Sequence, residues 1–284
     1  MILIAKLKNL SRPVVFSSLT NRIIIYISLT VFVLFLIYQS VQGIAFLPAL
    51  VHAAGTGFSV FLCWALGREI DPANAWSAFA AVPFVIVAAL ADGAPSIITL
   101  LFIILIGRAL NRTAGARLSE TEALLLAVLG IGLYYNGFVT GLPVLAVVLA
   151  VEAALDPVNR RQLYIALLSA ALFAAGSLLF SELLPPAPEL NLFKGIVILL
   201  LTAAVIFITL ATRGDRASGD LDGRPLEKRR LLLARVMPAL FIALEIAFKG
   251  SIAILALYPA LLAYLGVALF HMTRLIYNKR KVIT

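Results

Sequence analysis

Two rows of polar residues lie inside otherwise apolar segments of the chain, and the first contains a histidine. His52, Thr56, Ser59 and Cys63 follow one another at intervals of four, three and four residues, which places them on one face of a helix. An ionisable side chain inside a long apolar segment predicts a polar path or a substrate-binding site. The alternative is a histidine that bonds a neighbouring helix while the hydroxyl groups serve packing.

The second row contains a carboxylate. Arg235, Pro238, Ile242, Glu245 and Lys249 are spaced by three, four, three and four residues and share a helix face. An unpaired carboxylate inside a membrane helix costs about 2.5–3.5 kcal/mol on insertion scales. The row therefore predicts a substrate or proton site around Glu245 and Lys249. The alternative is an ion pair between these two residues near the membrane surface.

A third group consists of arginines at the ends of apolar segments. The guanidinium fork suits phosphate because it donates to two oxygens at once. These residues predict a phosphate- or headgroup-binding site, and the alternative is that they only orient the chain and contact anionic lipid headgroups. The set comprises Arg68, Arg108, Arg112, Arg117, Arg160 and Arg161.

Several kinds of chemistry have no motif in this sequence. The two histidines, His52 and His271, lie far apart, and Cys63 is the single cysteine. The strings H-E-x-x-H, C-x-x-C and G-x-S-x-G, the phosphate-binding P-loop and the G-x-G-x-x-G fingerprint are all absent. We therefore expect no metal site and no cofactor.

The elements that carry these residues are apolar segments long enough to enter a membrane. Hydrophobic residues make up 62% of the 284-residue chain and charged residues only 13%, which is too few for a water-facing surface. We predict an all-α, multi-pass transmembrane bundle of about ten spans. Segments three to six are short, so the alternative is eight spans plus a re-entrant hairpin. The segments cover 23–40, 43–66, 75–91, 95–111, 119–136, 139–155, 163–184, 194–212, 231–249 and 250–276.

The distribution of cations predicts the orientation. With ten spans and the N-terminus inside, 20 Lys and Arg residues fall on the inner side and two, Lys194 and Lys249, on the outer side. This asymmetry is the positive-inside pattern, and it predicts that both termini are cytoplasmic in a cell membrane. It also explains the net charge of +9, so we expect lipid headgroups and not nucleic acid as the partner of the basic residues.

The whole chain, 1–284, is predicted to be a single integral membrane domain. It has a basic cytoplasmic tail at 1–22, a charged, flexible cytoplasmic loop at 213–230 and a second basic tail at 277–284. No stretch between the apolar segments is long and apolar enough to form a soluble domain.

Three strings predict the starts of helices. Ser119-Glu120-Thr121-Glu122 has the pattern of a capping box. Asp71-Pro72 and Asp156-Pro157 each have the pattern of an N-cap followed by proline at the first helical position.

Three functions fit this organisation. The first is a transporter or permease of a small molecule or lipid, because ionisable residues and prolines interrupt the spans. Ten spans with both termini inside resembles the plan of drug and metabolite carriers, in span count alone. The second is an intramembrane enzyme that acts on a lipid or isoprenoid-phosphate substrate at the cytoplasmic face. The third is a non-catalytic subunit of a membrane complex. The sequence leaves open whether the chain is an enzyme, whether it self-associates and whether it has a membrane partner.

Overall fold

The protein is helical throughout the part of the chain that the computed structural model describes. That part comprises residue 10 and residues 16–90, 95–113, 117–155, 159–179, 191–215, 217–218, 223 and 225–283. It contains ten α-helices and no β-strand longer than a single bridge, which confirms the predicted all-α class. The helices cover Leu19–Val41 (α1), Phe46–Ile70 (α2), Val82–Ala89 (α3), Ile97–Asn111 (α4), Glu120–Tyr135 (α5), Gly141–Leu155 (α6), Arg160–Leu179 (α7), Leu192–Ala211 (α8), Lys228–Lys249 (α9) and Ser251–Ile283 (α10).

Each of the ten predicted apolar segments overlaps one of these helices, but four of the helices are short. Helix α3 has 8 residues, and α4, α5 and α6 have 15, 16 and 15. At about 1.5 Å per residue, even 16 residues reach only about 24 Å, less than the ~30 Å of a bilayer core. Among the described residues, six helices (α1, α2 and α7 to α10) are long and apolar enough to cross a membrane. Ten crossings therefore stay a prediction.

The outward faces of the long helices are apolar. Leu34 and Val41 of α1 are 59% and 79% exposed, and Leu199 and Leu210 of α8 are 67% and 62% exposed. Protein surfaces in contact with water do not carry contiguous apolar faces of this kind, whereas a lipid-facing surface does. These helices are those of a membrane-embedded protein.

Helices α1 and α2 approach closely because small residues line their contact. A Cβ atom added at Gly57 would lie 2.8 Å from the carbonyl oxygen of Ser28 and 2.9 Å from Cβ of Phe32, so no side chain fits there. Ala53 and Ala49, one and two turns earlier on α2, are fully buried. Small residues at this spacing allow two membrane helices to pack backbone against backbone.

The predicted helix start at Asp71-Pro72 is wrong. Asp71 caps the C-terminal end of α2 and is fully buried. A short 3-10 helix, Ser77–Phe79, follows, and α3 begins only at Val82. Asp71 does not act as an N-cap because its carboxylate is bound to His271. The second predicted start, Asp156-Pro157, lies outside the described residues.

The predicted capping box at the start of α5 is confirmed. The hydroxyl oxygen of Ser119 accepts a hydrogen bond from the backbone N–H of Glu122 (3.3 Å), and the Glu122 carboxylate accepts one from the backbone N–H of Ser119 (2.8 Å). The same carboxylate also accepts from the backbone N–H of Leu10 (2.9 Å). The buried Glu122 thus fixes both the beginning of α5 and a residue near the N-terminus.

The chain forms two compact units. Unit 1 comprises Met1–Arg12, Leu101–Leu199 and Arg216–Ala253, and unit 2 comprises Pro13–Leu100, Leu200–Asp215 and Ile254–Thr284. In unit 1, α5, α6 and α7 are neighbours and α9 packs on α6. In unit 2, α1 packs on α2, and α2 also contacts α3.

The segment before α9 is shorter than the predicted loop 213–230. Helix α9 begins at Lys228, and Arg230 in its first turn is only 5% exposed. Before it, Ser218 and Pro225 form a single antiparallel bridge, and the N–H of Leu226 donates to the carbonyl oxygen of Ala217 (2.8 Å). Arg230 is therefore not a solvated loop residue, because it binds a buried carboxylate.

Candidate functional site

The strongest candidate site in unit 1 is the carboxylate of Glu245, which is fully buried on α9. Its Oε1 accepts hydrogen bonds from the backbone N–H of Thr140 (3.0 Å) and from the Thr140 hydroxyl (2.5 Å). Thr140 immediately precedes α6, so its N–H has no partner within that helix. The positive end of the α6 dipole also favours a carboxylate at this position. The start of α6 therefore provides two donors, both from Thr140, that hold one oxygen of Glu245.

The second oxygen of Glu245 is buried and has no hydrogen-bond partner among the described residues. Lys249, four residues later, places its ammonium 3.9 Å from the ring centroid of Phe138, as a cation–π contact. The close Glu245–Lys249 ion pair considered from the sequence does not form among the described residues, although the lysine charge still attracts the carboxylate at longer range. Oε2 is therefore the oxygen of Glu245 that makes no hydrogen bond to the described residues.

The face of α9 that carries Glu245 is largely buried. Arg235, Pro238, Ile242 and Glu245 are all buried. The proline lies inside the helix without ending it. The row identified from the sequence is thus a continuous interior stripe that leads to the carboxylate.

A second buried carboxylate in unit 1, Glu152 near the end of α6, was not singled out from the sequence. It receives a guanidinium on each oxygen. Arg112 donates to Oε1 through both Nε (3.0 Å) and Nη2, and Arg230 donates to Oε2 (2.6 Å). Arg230 also contacts Glu227 (3.4 Å). Sequence inspection could have found Glu152, since it is the one carboxylate within the apolar segment 139–155.

The predicted arginine set is engaged by several separate partners. Arg108 donates to the backbone carbonyl oxygen of Leu10 (2.9 Å). Arg161 binds Glu120 at the protein surface (2.6 Å), and Arg160 is exposed. A phosphate would have to compete with these groups, so phosphate or headgroup binding stays a prediction. The remaining members of the set, Arg68, Arg112 and Arg117, also have interaction partners.

In unit 2, Asp71 and His271 form a buried pair that joins α2 to α10. His271 Nε2 lies 2.9 Å from Asp71 Oδ2, and both side chains are almost completely buried. Asn74 donates to Asp71 (3.2 Å) and to Asp215 (3.1 Å), and Arg274 donates to Asn74 (3.2 Å). Burial acts to raise the pKa of Asp71, but hydrogen bonds, led by that with His271, outweigh it and hold this pKa below its ordinary value.

The His52 row on α2 is placed as predicted, with three members buried and His52 itself half-buried. The hydroxyl of Thr56 donates to the backbone carbonyl oxygen of His52 (3.0 Å). The hydroxyl of Ser59 donates to the backbone carbonyl oxygen of Thr56 (2.8 Å). His52 Nδ1 lies 3.3 Å from the amide nitrogen of Gln39 on α1. His52 thus bonds a neighbouring helix, and it also lines a cavity of about 550 Å³.

Comparison with known proteins gives no assignment. No family model matches the chain, and no curated protein and no solved structure matches it. Among the described residues, no group of three or more His, Cys, Asp and Glu side chains is arranged to hold a metal ion. The functional proposal therefore rests on the geometry around Glu245.

Proposed function

We propose that this protein is a multi-pass transporter or permease of a small molecule or lipid, with Glu245 as the site that binds protons and substrate in turn. In this proposal the chain crosses the cell membrane ten times, and both termini and the 213–230 segment are cytoplasmic. The observation that carries the proposal is the unpartnered, fully buried oxygen Oε2 of Glu245.

Two other glutamates of unit 1 provide an internal comparison. Glu122 and Glu152 are as completely buried as Glu245. Each uses both of its carboxylate oxygens: Glu122 binds Leu10 and Ser119, and Glu152 binds two arginines. A buried oxygen without a partner costs about 1–3 kcal/mol. Glu122 and Glu152 are thus satisfied as structural groups, whereas Glu245 retains an open position inside the protein.

An open carboxylate oxygen can couple two ligands because both need the same lone pairs. A proton on Oε2 removes the negative charge, and a substrate with a positive charge or a hydrogen-bond donor requires that charge or that oxygen. The two ligands therefore exclude each other, which is the basis of exchange transport. Thr140 holds Oε1 throughout and keeps the carboxylate in one orientation. The positive charge of Lys249 attracts the carboxylate of Glu245 at longer range.

A second candidate function is an intramembrane enzyme that acts on a lipid or isoprenoid-phosphate substrate. The observation that favours it is the Asp71–His271 pair, in which a carboxylate orients an imidazole at 2.9 Å. That arrangement is typical of a general base. Arg274, whose side chain is 48% exposed, lies beside the pair and can contact a phosphate.

Transport can be tested before the substrate is identified. Purified protein in liposomes is incubated with a cell extract of metabolites and lipids, with and without an acidic lumen, and the vesicle contents are analysed by mass spectrometry. Wild-type protein should accumulate a compound in a manner that depends on the pH gradient. Glu245→Gln should abolish that accumulation. Glu120→Gln, the same substitution at an exposed carboxylate, should leave it unchanged.

Two outcomes would oppose the proposal. Equal accumulation by Glu245→Gln and wild-type protein would remove Glu245 from the transport site. Conversion of an extract component into a new product, without accumulation and with loss of activity in Asp71→Asn, would establish the enzyme instead. If neither flux nor product is seen, and a gentle-detergent pull-down recovers a stoichiometric companion, the chain is a complex subunit.

A further inference from the structure

We propose that the cavity beside His52 binds a lipophilic molecule that carries one neutral hydrogen-bond acceptor, such as a carbonyl group, and that this ligand enters from the bilayer. The site lies in unit 2. Its ligand chemistry follows from the shape of the cavity, from its lining and from the tautomer of one histidine ring.

The cavity has the size and lining of a site for a lipid-like molecule. Its volume of about 550 Å³ falls within the ~300–1,000 Å³ typical of small-molecule sites. The lining is almost entirely apolar and includes Leu47, Pro48, Val51 and Ile97. No described lining residue carries a carboxylate, a lysine or an arginine. Such a lining favours an apolar, uncharged ligand body.

The cavity opens towards the outer surface of the helices. Leu47 and Val51, one turn apart on α2, are 67% and 65% exposed. They belong to a helix that is long and apolar enough to cross a membrane. The surroundings of exposed apolar side chains on such a helix are lipid chains. A ligand dissolved in the bilayer therefore reaches the cavity without crossing water.

The histidine supplies one directed donor. Gln39 on α1 faces His52 Nδ1 with its amide nitrogen at 3.3 Å. An amide nitrogen donates and does not accept, so with this orientation of the Gln39 amide Nδ1 is the acceptor and a ring hydrogen is on Nε2. Among the described residues, the only hydrogen bond of the His52 side chain is the one at Nδ1. The Nε2–H group is therefore available to an acceptor on the ligand.

The other polar lining residue does not change this requirement. The Thr56 hydroxyl donates to the backbone carbonyl oxygen of His52 and is 2% exposed, so its hydrogen is already used. The site thus offers one free donor in apolar surroundings. A molecule with one acceptor and an apolar chain matches this donor. Its acceptor gains by the hydrogen bond, because in lipid it has no water from which to accept one.

The glycine in the lining provides a way to close the cavity. A Cβ atom at Gly55 would meet no atom within 4 Å, and the residue lies inside a regular helix, so Gly55→Leu should fill the space without disturbing the packing. Gly132 on α5 has equally open surroundings and serves as the matched control, Gly132→Leu. His52→Phe keeps an aromatic ring at this position but removes the N–H group.

The test uses two photoactivatable diazirine probes with the same alkyl chain, one ending in a methyl ketone and the other in a plain alkane. Full-length protein in liposomes is irradiated, and labelled peptides are identified by mass spectrometry. In wild-type protein the ketone should label the Phe46–Ile70 peptide about fivefold more than the alkane, the factor given by one net hydrogen bond of about 1 kcal/mol. His52→Phe should remove that preference. Gly55→Leu should abolish labelling by both probes at this peptide, and Gly132→Leu should not.

Equal labelling by the two probes in wild-type protein would overturn the proposal without reference to any variant. Unchanged labelling in Gly55→Leu, with circular dichroism equal to wild type, would place the probes outside the cavity and would overturn it too. Because the readout is binding, the site stands or falls independently of transport through Glu245.

Discussion

Replacing Glu152 by glutamine removes the negative charge that two guanidiniums share in unit 1. Glu152 is fully buried, and the side chains of Arg230 and Arg112 are 5% and 17% exposed. Glutamine keeps nearly the same shape, but it directs an amide N–H₂ group at one of the two donors. We expect the variant to be much less stable, because two largely buried positive charges then lose the counter-charge that they share.

The magnitude follows from burial. Removing one partner of a buried ion pair costs about 3–5 kcal/mol, and the Glu152–Arg230 contact belongs to that class. Arg112 is closer to the surface and adds less. The matched control is Glu120→Gln, whose partner is Arg161. These side chains are 50% and 74% exposed, so the control should cost about 0–1 kcal/mol.

The assay is unfolding in mixed micelles with increasing sodium dodecyl sulfate, followed by far-ultraviolet circular dichroism. We expect Glu152→Gln to reduce the free energy of unfolding by at least ~2 kcal/mol more than Glu120→Gln. Replacing Glu152, Arg112 and Arg230 together by methionine should recover most of the loss, because none of these three positions then carries a charge. Equal losses in the two single variants would refute the assignment of Glu152 as the buried centre of this network.

Three further predictions concern stability. The lowered pKa of Asp71 stabilises the folded protein at neutral pH, and this contribution is lost as pH falls through the folded-state pKa. Asp71→Asn weakens the bond to His271 and removes the titrating group. In this variant the unfolding midpoint should therefore depend less on pH on the acid side. Ser119→Ala should cost about 1 kcal/mol in the same unfolding assay, because the capping box loses its hydroxyl. Gly57→Ala should lower the thermal midpoint in detergent by pushing α1 from α2, whereas Gly132→Ala, with open space around its Cβ, should raise it.

The positions of the helices could be predicted from hydropathy because burial in lipid requires long apolar segments. All ten predicted segments overlap a helix, and the capping box correctly predicted the start of α5. The segment 75–91 was less well predicted, since it divides into a 3-10 turn and the short helix α3. Pro83, in the first turn of α3, marks that start in the sequence. The 3-10 turn before it is set by packing, since a Cβ at Gly67 would lie 2.8 Å from Cα of Ala78.

The partners of the candidate site residues could not be predicted, because they are distant along the chain. Spacing along one helix identified Glu245 and the buried stripe of α9, but Thr140, which holds Glu245, lies 105 residues earlier. His271 and Asp71 are separated by 200 residues. An i to i+4 rule favoured a Glu245–Lys249 pair, yet the N-terminal end of α6 supplied a better donor. Local patterns therefore identified which side chains are exceptional but not which groups they bind.

The most direct measurement of the central claim is an infrared difference spectrum of the protein in liposomes, recorded between protonating and deprotonating conditions. If Glu245 exchanges a proton inside the membrane, wild-type protein should show the carbonyl band of a protonated carboxylic acid that is absent in Glu245→Gln. Thr140→Val should shift that band, because Oε1 then loses the hydroxyl donor. An identical carboxylic-acid band in wild type and Glu245→Gln would show that this carboxylate does not exchange protons, and it would contradict the proposed transport site.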